Sequence, residues 1–286
     1  MAAVFYFGVF LFGLAAGSFI NVCIYRLPLG VSLVHPGSFC PLCRTPVRWF
    51  DNIPVFSFLI LAGKCRSCGK RISLRYPAVE LLTGLLLLLV VFDCIQDGRT
   101  VFVTGTYIYL LLGLITLSFI DIAHEIIPDE ISLMGIPVAL VLSVLIPELH
   151  YNVPFFSPLI EQAPQRVTAA CSSLAGIAVG GGTLWIIGAA AKLILKKEAM
   201  GFGDVKLMAM VGGLTGWLNT LLAFFLACAL GSLVGIIVMI KTKNRRIPFG
   251  PFLAAGTLIT ILYSTELIYF FTHIYPVWIR KLMGME

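Results

Sequence analysis

Between Lys206 and Lys241 the chain runs for 34 residues without a charged side chain. A helix needs about 20 apolar residues to cross a bilayer's hydrocarbon core, so this run is too long for one span. It breaks naturally at "GWLNT" (216–220), which makes two helices. Comparable apolar runs occupy 4–24, 76–92, 100–120, 128–147, 167–191 and 247–272. The expectation is an all-α polytopic membrane protein with about eight transmembrane helices. Composition agrees. A soluble domain of this size is about 25% charged, whereas this chain of 286 residues is 12% charged and 59% hydrophobic. Its mean hydropathy is +0.99. The first run has no basic stretch before it and no small-residue cleavage site after it, so it reads as a span rather than a removable signal.

Orientation follows from lysine and arginine, which favour cytoplasmic loops. The segment 25–75 holds eight of the 20. With that loop inside and the spans alternating, sixteen lie inside and four outside: Arg99, Arg166, Arg280 and Lys281. Both termini are then expected outside. The expected organisation is helix one at 1–24, a cytoplasmic loop domain at 25–75, and a membrane domain of helices two to eight at 76–286. The net charge of +6 reflects topology and contact with anionic lipid. No folded basic surface suggests a nucleic acid partner.

The loop carries "CPLC" (Cys40, Cys43) and "CRSC" (Cys65, Cys68), with 21 residues between the pairs. Two Cys-x-x-Cys turns at this separation are the pattern of a tetrahedral four-thiolate zinc site. Two disulfides are the structural alternative, and a reducing cytoplasm disfavours them. A closed four-cysteine site leaves no position open for substrate. Its expected role is to fold a loop of about fifty residues that has no large core. Cys23, Cys94, Cys171 and Cys228 lie along or beside apolar runs and read as packing residues.

Four acids stand within or at the edge of apolar runs: Glu80, Asp121, Asp204 and Glu266. An ionisable group there is a functional candidate, because an unpaired charge in hydrocarbon is costly. Asp121 closes the third span in "FIDIAHEIIPD" and Asp204 opens the sixth in "GFGDVKL". Alternating topology puts both at the cytoplasmic boundary. Two carboxylates sharing a site suit aspartyl proteolysis, because like charges at close range force one to keep a proton. Other readings stand beside this one. Asp204 suits a helix N-cap, and Asp121 suits a turn cap or an ion pair with Lys206. Asp129 and Glu130 follow Pro128 and suit a helix N-terminus. His124 reads as an interfacial residue, and Glu266 as a snorkelling one. Glu80 either pairs with Arg75 or lines a site.

These blocks together resemble the type IV prepilin peptidases, membrane aspartic proteases of the GxGD type that are also N-methyltransferases. The resemblance runs from "GSFINVCIYRLP" (17–28) through the cysteine loop and "RYPAVELLTG" (75–84) to the two aspartate motifs. It implies that Asp121 and Asp204 are the catalytic pair. Many relatives carry a second aspartate two residues after the first; here that position is Ala123, which leaves Asp121 as the reactive one. The implied substrates are prepilins and pseudopilins, cut after a glycine on the cytoplasmic side of a bacterial inner membrane. The new N-terminus is then methylated with S-adenosylmethionine. Gly63 and Lys64, just before Cys65, match the family's glycine-lysine and are implied in methyl transfer. No glycine-rich nucleotide fingerprint supports this separately. Two alternatives remain: a proton- or ion-coupled transporter with a zinc-bearing regulatory loop, and a peptidase without methyltransferase activity. A transporter places its acids near the bilayer midplane, whereas these two map to one edge.

Overall fold

The computed structural model describes residues 1–150, 163–196, 201–242 and 247–277. Its described elements are helices and turns, with isolated two-residue bridges only in the cysteine loop. The chain divides into two compact units, Met1–Pro128 and Asp129–Glu286.

The first unit contains α1 (Ala2–Arg26), the short α2 (Phe56–Ile60), α3 (Arg75–Gln96) and α4 (Val101–His124). Helix α1 ends in a turn holding Pro28 and closed by Gly30, whose φ of 63° is left-handed. Pro77 sits in the first turn of α3, where its missing N–H costs nothing. Thr100 caps α4 by accepting from the Val103 amide. Helices α1 and α3 cross at small residues. A Cβ on Gly13 would stand 2.7 Å from the Gly84 Cα, and one on Gly17 would stand 2.7 Å from the Glu80 Cα. Such close backbone approach is how helices associate where lipid supplies no hydrophobic drive. Arg26, buried at the end of α1, donates to the carbonyls of Ser32, Pro36 and Gly37 at 2.8, 2.6 and 3.1 Å. One guanidinium thereby ties the membrane helix to the start of the loop.

The second unit contains α5 (Asp129–Leu145), α6 (Gln165–Leu195), α7 (Phe202–Thr215), α8 (Trp217–Thr242) and α9 (Gly250–Tyr269). Asp129 and Glu130 occupy the first turn of α5, as expected of acids at a helix N-terminus. The long uncharged run breaks where "GWLNT" suggested: Gly216, at φ 81°, separates α7 from α8. A Cβ on Gly212 in α7 would collide with the backbone of Gly176 in α6.

Six described helices are long and apolar enough to cross a membrane, starting at Ala2, Arg75, Val101, Gln165, Trp217 and Gly250. The other two expected spans exist as helices of 17 and 14 residues, α5 and α7. At 1.5 Å per residue they reach about 26 and about 21 Å, short of a hydrocarbon core of about 30 Å. Residues 207–215 of α7 are all buried, packed by α5, α6 and α8. Hydropathy reads an enclosed helix and a lipid-facing one alike, so the sequence could not separate them.

Candidate metal centre and candidate active site

Each cysteine pair closes the same small turn. In the first, the Cys40 amide donates to the Thr45 carbonyl at 3.0 Å and the Arg44 amide to the Cys40 carbonyl at 2.8 Å. In the second, the Cys65 amide donates to the Lys70 carbonyl at 2.8 Å and the Gly69 amide to the Cys65 carbonyl at 2.9 Å. Antiparallel bridges flank both, Phe39 with Pro46 and Lys64 with Arg71. The left-handed position is Gly69 in one turn and Arg44 in the other, at φ 67° and 58°.

The two turns bring the four sulfurs within 4.8 Å of one another. A tetrahedral zinc with bonds of about 2.3 Å holds its sulfurs about 3.8 Å apart, so the donor set fits zinc. The thiols feel one another. The Thr45 hydroxyl, 3.3 Å from the Cys43 sulfur, together with its amide, holds that thiol down at about 6. The Lys70 amide pulls Cys68 down, but burial and the neighbouring thiols outweigh it and push Cys68 up to about 11. Four sulfurs this close ionise together only around a cation, and the donor set suits a zinc ion in that place.

Beside the metal centre the first unit holds a cavity of about 570 Å³. Its walls come from the end of α1, both cysteine turns, the 51–58 segment and the start of α3. Glu80 settles into this wall. Its Oε2 accepts from the Val55 amide at 2.8 Å, so it neither pairs with Arg75 nor stands at the membrane edge alone. Val55 itself is strained. It sits at φ 61°, ψ −49° in a tight turn closed by Phe56 N–H to the Pro54 carbonyl. A β-branched residue adopts that conformation only where its surroundings enforce it. Gly63, at φ 68°, turns the chain from α2 into the second cysteine turn, and Lys64 forms its flanking bridge; neither lines the cavity.

Asp121 and Asp204 belong to different units. Asp121 is buried one turn before the end of α4, whose last carbonyls are met by Glu125 in a left-handed conformation. The next residues, Ile122 to His124, are exposed. Asp204 is buried at the third position of α7. Gly201, not Asp204, is the N-cap, so the capping reading is replaced by a first-turn acid facing the helix dipole. Among the described residues, a Cβ on Gly201 would meet only the Asp204 carboxylate, at 3.9 Å. Lys206 pairs with Asp129 at 2.6 Å and lies over the Phe202 ring. This pair gives the Lys206 ammonium an acid other than Asp121. Glu266 is exposed on α9.

Sequence reasoning passed over Asn21 and His150. Asn21 is one more polar residue in an apolar helix, and only packing shows it buried against the cavity. His150 follows α5 and is buried, its Nε2 2.8 Å from the Ser143 hydroxyl. No local pattern marks either residue.

The fold and these sites define a helical, multi-pass membrane protein with a loop of four clustered cysteines suited to a metal, and buried carboxylates near helix ends. Comparison with known proteins makes the assignment specific. Residues 11–94 match the bacterial peptidase A24 N-terminal domain, and residues 108–236 match the type IV leader peptidase family. The chain belongs to the type IV leader peptidase family. It is 34% identical to a prepilin leader peptidase/N-methyltransferase of Pseudomonas aeruginosa over 90% of each chain. It is 35% identical to one of Neisseria gonorrhoeae over 85% of each. A relative of the same name from Myxococcus xanthus is 36% identical over 82% of this chain and 64% of its own. No solved structure matches.

Proposed function

We propose that this chain is a bifunctional prepilin leader peptidase and N-methyltransferase of the bacterial inner membrane. The observation that carries the reading is family membership along nearly the whole chain, with relatives of one name covering both the loop and the helices. It does not favour the transporter alternative. The substrates are prepilins or pseudopilins, whose leader ends in glycine before a hydrophobic helix.

Asp121 and Asp204 form the peptidase pair. One carboxylate, ionised, takes a proton from water; the other, protonated, donates a hydrogen bond to the carbonyl of the scissile glycine. The hydroxide adds to that carbonyl, and the C–N bond then breaks as the departing amine gains a proton. Asp204 in the first turn of α7 suits the ionised role, since the helix dipole favours negative charge there. The open backbone at Gly201 leaves room for an extended substrate segment. Sixteen of the twenty basic residues support a cytoplasmic position for both acids and an outer one for the termini.

Cys40, Cys43, Cys65 and Cys68 hold zinc, which supplies loop stability rather than a reactive site. S-adenosylmethionine supplies an electrophilic methyl group for the new N-terminal amine. Around it the chain's work is to bind, orient and exclude water, and this work falls to the loop domain. Mass spectrometry of a pilin co-expressed with the enzyme tests the reading: leader loss and one added methyl are expected together. An uncut pilin overturns the peptidase, and a cut but unmethylated one overturns the transferase.

A further inference from the structure

The cavity beside the metal centre holds two polar atoms that are buried without a hydrogen-bond partner. Asn21, 3% exposed, donates from Nδ2 to the Tyr76 carbonyl at 3.0 Å, while its Oδ1 has no partner. The Nε of Arg75 is likewise buried and unpartnered. Both residues line the cavity, and so does Glu80. Buried polar groups are nearly always paired, and an orphan calls for a missing partner. Here one orphan is an acceptor and the other a donor. Of the two acids in the lining, Asp51 is already gripped by Arg66 through three contacts of 2.7 to 3.0 Å. Glu80 is the acid that remains to face a cation.

We propose that this cavity is the S-adenosylmethionine site, with Asn21 and Arg75 holding the amino-acid end of the donor and Glu80 facing its positive charge. The inference rests on the methyltransferase reading and assigns it a place and residues. The two orphaned atoms match the two ends of the donor's amino-acid moiety, in a lining where Glu80 and Asp51 stand among five basic side chains. The ligand's ammonium is a donor for Asn21 Oδ1, and its carboxylate is an acceptor for Arg75 Nε. With a sulfonium as well, the ligand carries a net charge of plus one, which a carboxylate attracts. The demethylated product has lost the sulfonium charge and is neutral overall, so Glu80 holds it less well and favours its release. The volume of about 570 Å³ lies within the usual range for small-molecule sites, about 300–1,000 Å³. Tyr76 and Phe58 in the lining offer faces for a flat base. The cavity also spans the strained turn at Val55, which the Glu80 carboxylate holds in place.

Two measurements on the full-length, metal-loaded protein test this. Ultraviolet cross-linking of methyl-labelled S-adenosylmethionine to the unaltered chain, followed by peptide mapping, should label segments 18–26, 51–58 or 71–80. Label found only in the second unit overturns the assignment. In equilibrium titration, Asn21→Leu and Arg75→Gln should each weaken donor binding about tenfold, the size expected for one hydrogen bond to a charged group. Zinc content serves as the check that the loop stays folded. Variants that keep zinc and bind the donor like the parent overturn the proposal. If the parent methylates pilin yet is labelled elsewhere, the site is wrong and the transferase reading stands. If it leaves cut pilin unmethylated, that reading fails and takes the site with it. A cavity that takes the pilin's N-terminal amine instead would be protected by a pilin peptide and would not be labelled by the donor, which also overturns the proposal.

Discussion

The cysteine loop and the second, helical unit are held together in different ways. The loop has almost no core: its order comes from two repeated turns, the Arg26 clamp and four sulfurs gathered within 4.8 Å. Among the described residues, the helical unit shows no comparable cluster of metal-ligating groups. It relies on backbones pressed together at small residues, Gly212 on Gly176 among them. The loop leans on local turns and on its four clustered sulfurs, and the helical unit leans mainly on close-packed shape. The two regions should fail independently and under different insults.

The largest effect is expected where neither kind of stability is touched. Asp121→Asn or Asp204→Asn should abolish leader cleavage, a loss of at least about a thousandfold, while zinc content and membrane insertion stay at parental levels. Normal processing of a pilin by either variant would falsify the pair.

Next comes the loop. Replacing Cys40 and Cys43 together by serine should remove the one zinc expected per chain and open residues 27–74 to protease, leaving the second unit intact. Full metal content in the double variant would break the comparison, because the loop would then be holding metal by other groups.

The converse substitution is Gly212→Val. It forces a side chain into the Gly176 backbone, and overpacking of this kind costs about 1–3 kcal/mol or more. Thermal unfolding should fall by several degrees with zinc retained. A variant as stable as the parent would show that the close crossing carries little stability.

Acid should separate the regions as well. Burial pushes His150 down to about 4, although a hydrogen bond from its ring to the Gly213 backbone carbonyl opposes this. The unfolded chain, with a histidine near 6.5, binds more protons in between. Stability from this group is therefore present above pH 6.5 and declines as pH falls toward 4, by at most about 3 kcal/mol. His150→Gln should flatten that slope in a pH series of melting temperatures. An unchanged slope would assign the acid sensitivity elsewhere.

The smallest effect compares the two cysteine turns with each other. Arg44 occupies the left-handed position that Gly69 fills in the second turn. Arg44→Gly should stabilise the zinc-bound loop by up to about 1 kcal/mol, reduced by glycine's greater freedom in the unfolded chain. Zinc competition with a chelator would read it. A weakened site would mean that the arginine side chain matters more than the backbone it strains.

What was legible in the sequence was whatever neighbours in the chain decide. Hydropathy located the helices, the break at Gly216 and the multi-pass class, since an apolar run of about 20 residues has few other ways to bury itself. Cys-x-x-Cys spacing located the four-cysteine cluster, because each turn closes on its own hydrogen bonds. The aspartates stood out because charge is rare there, and their shared chemistry is still a proposal.

Tertiary structure decided the rest. Only packing showed that α7 is enclosed and shorter than a bilayer, that Gly201 rather than Asp204 caps it, and that Lys206 pairs with Asp129. It also moved Glu80 into the wall of a cavity beside Asn21 and Arg75, residues up to 59 positions apart. The reason is physical. A turn or a span is fixed by contacts between close neighbours, whereas burial, and the orphaned donor or acceptor it leaves, depends on which helices meet.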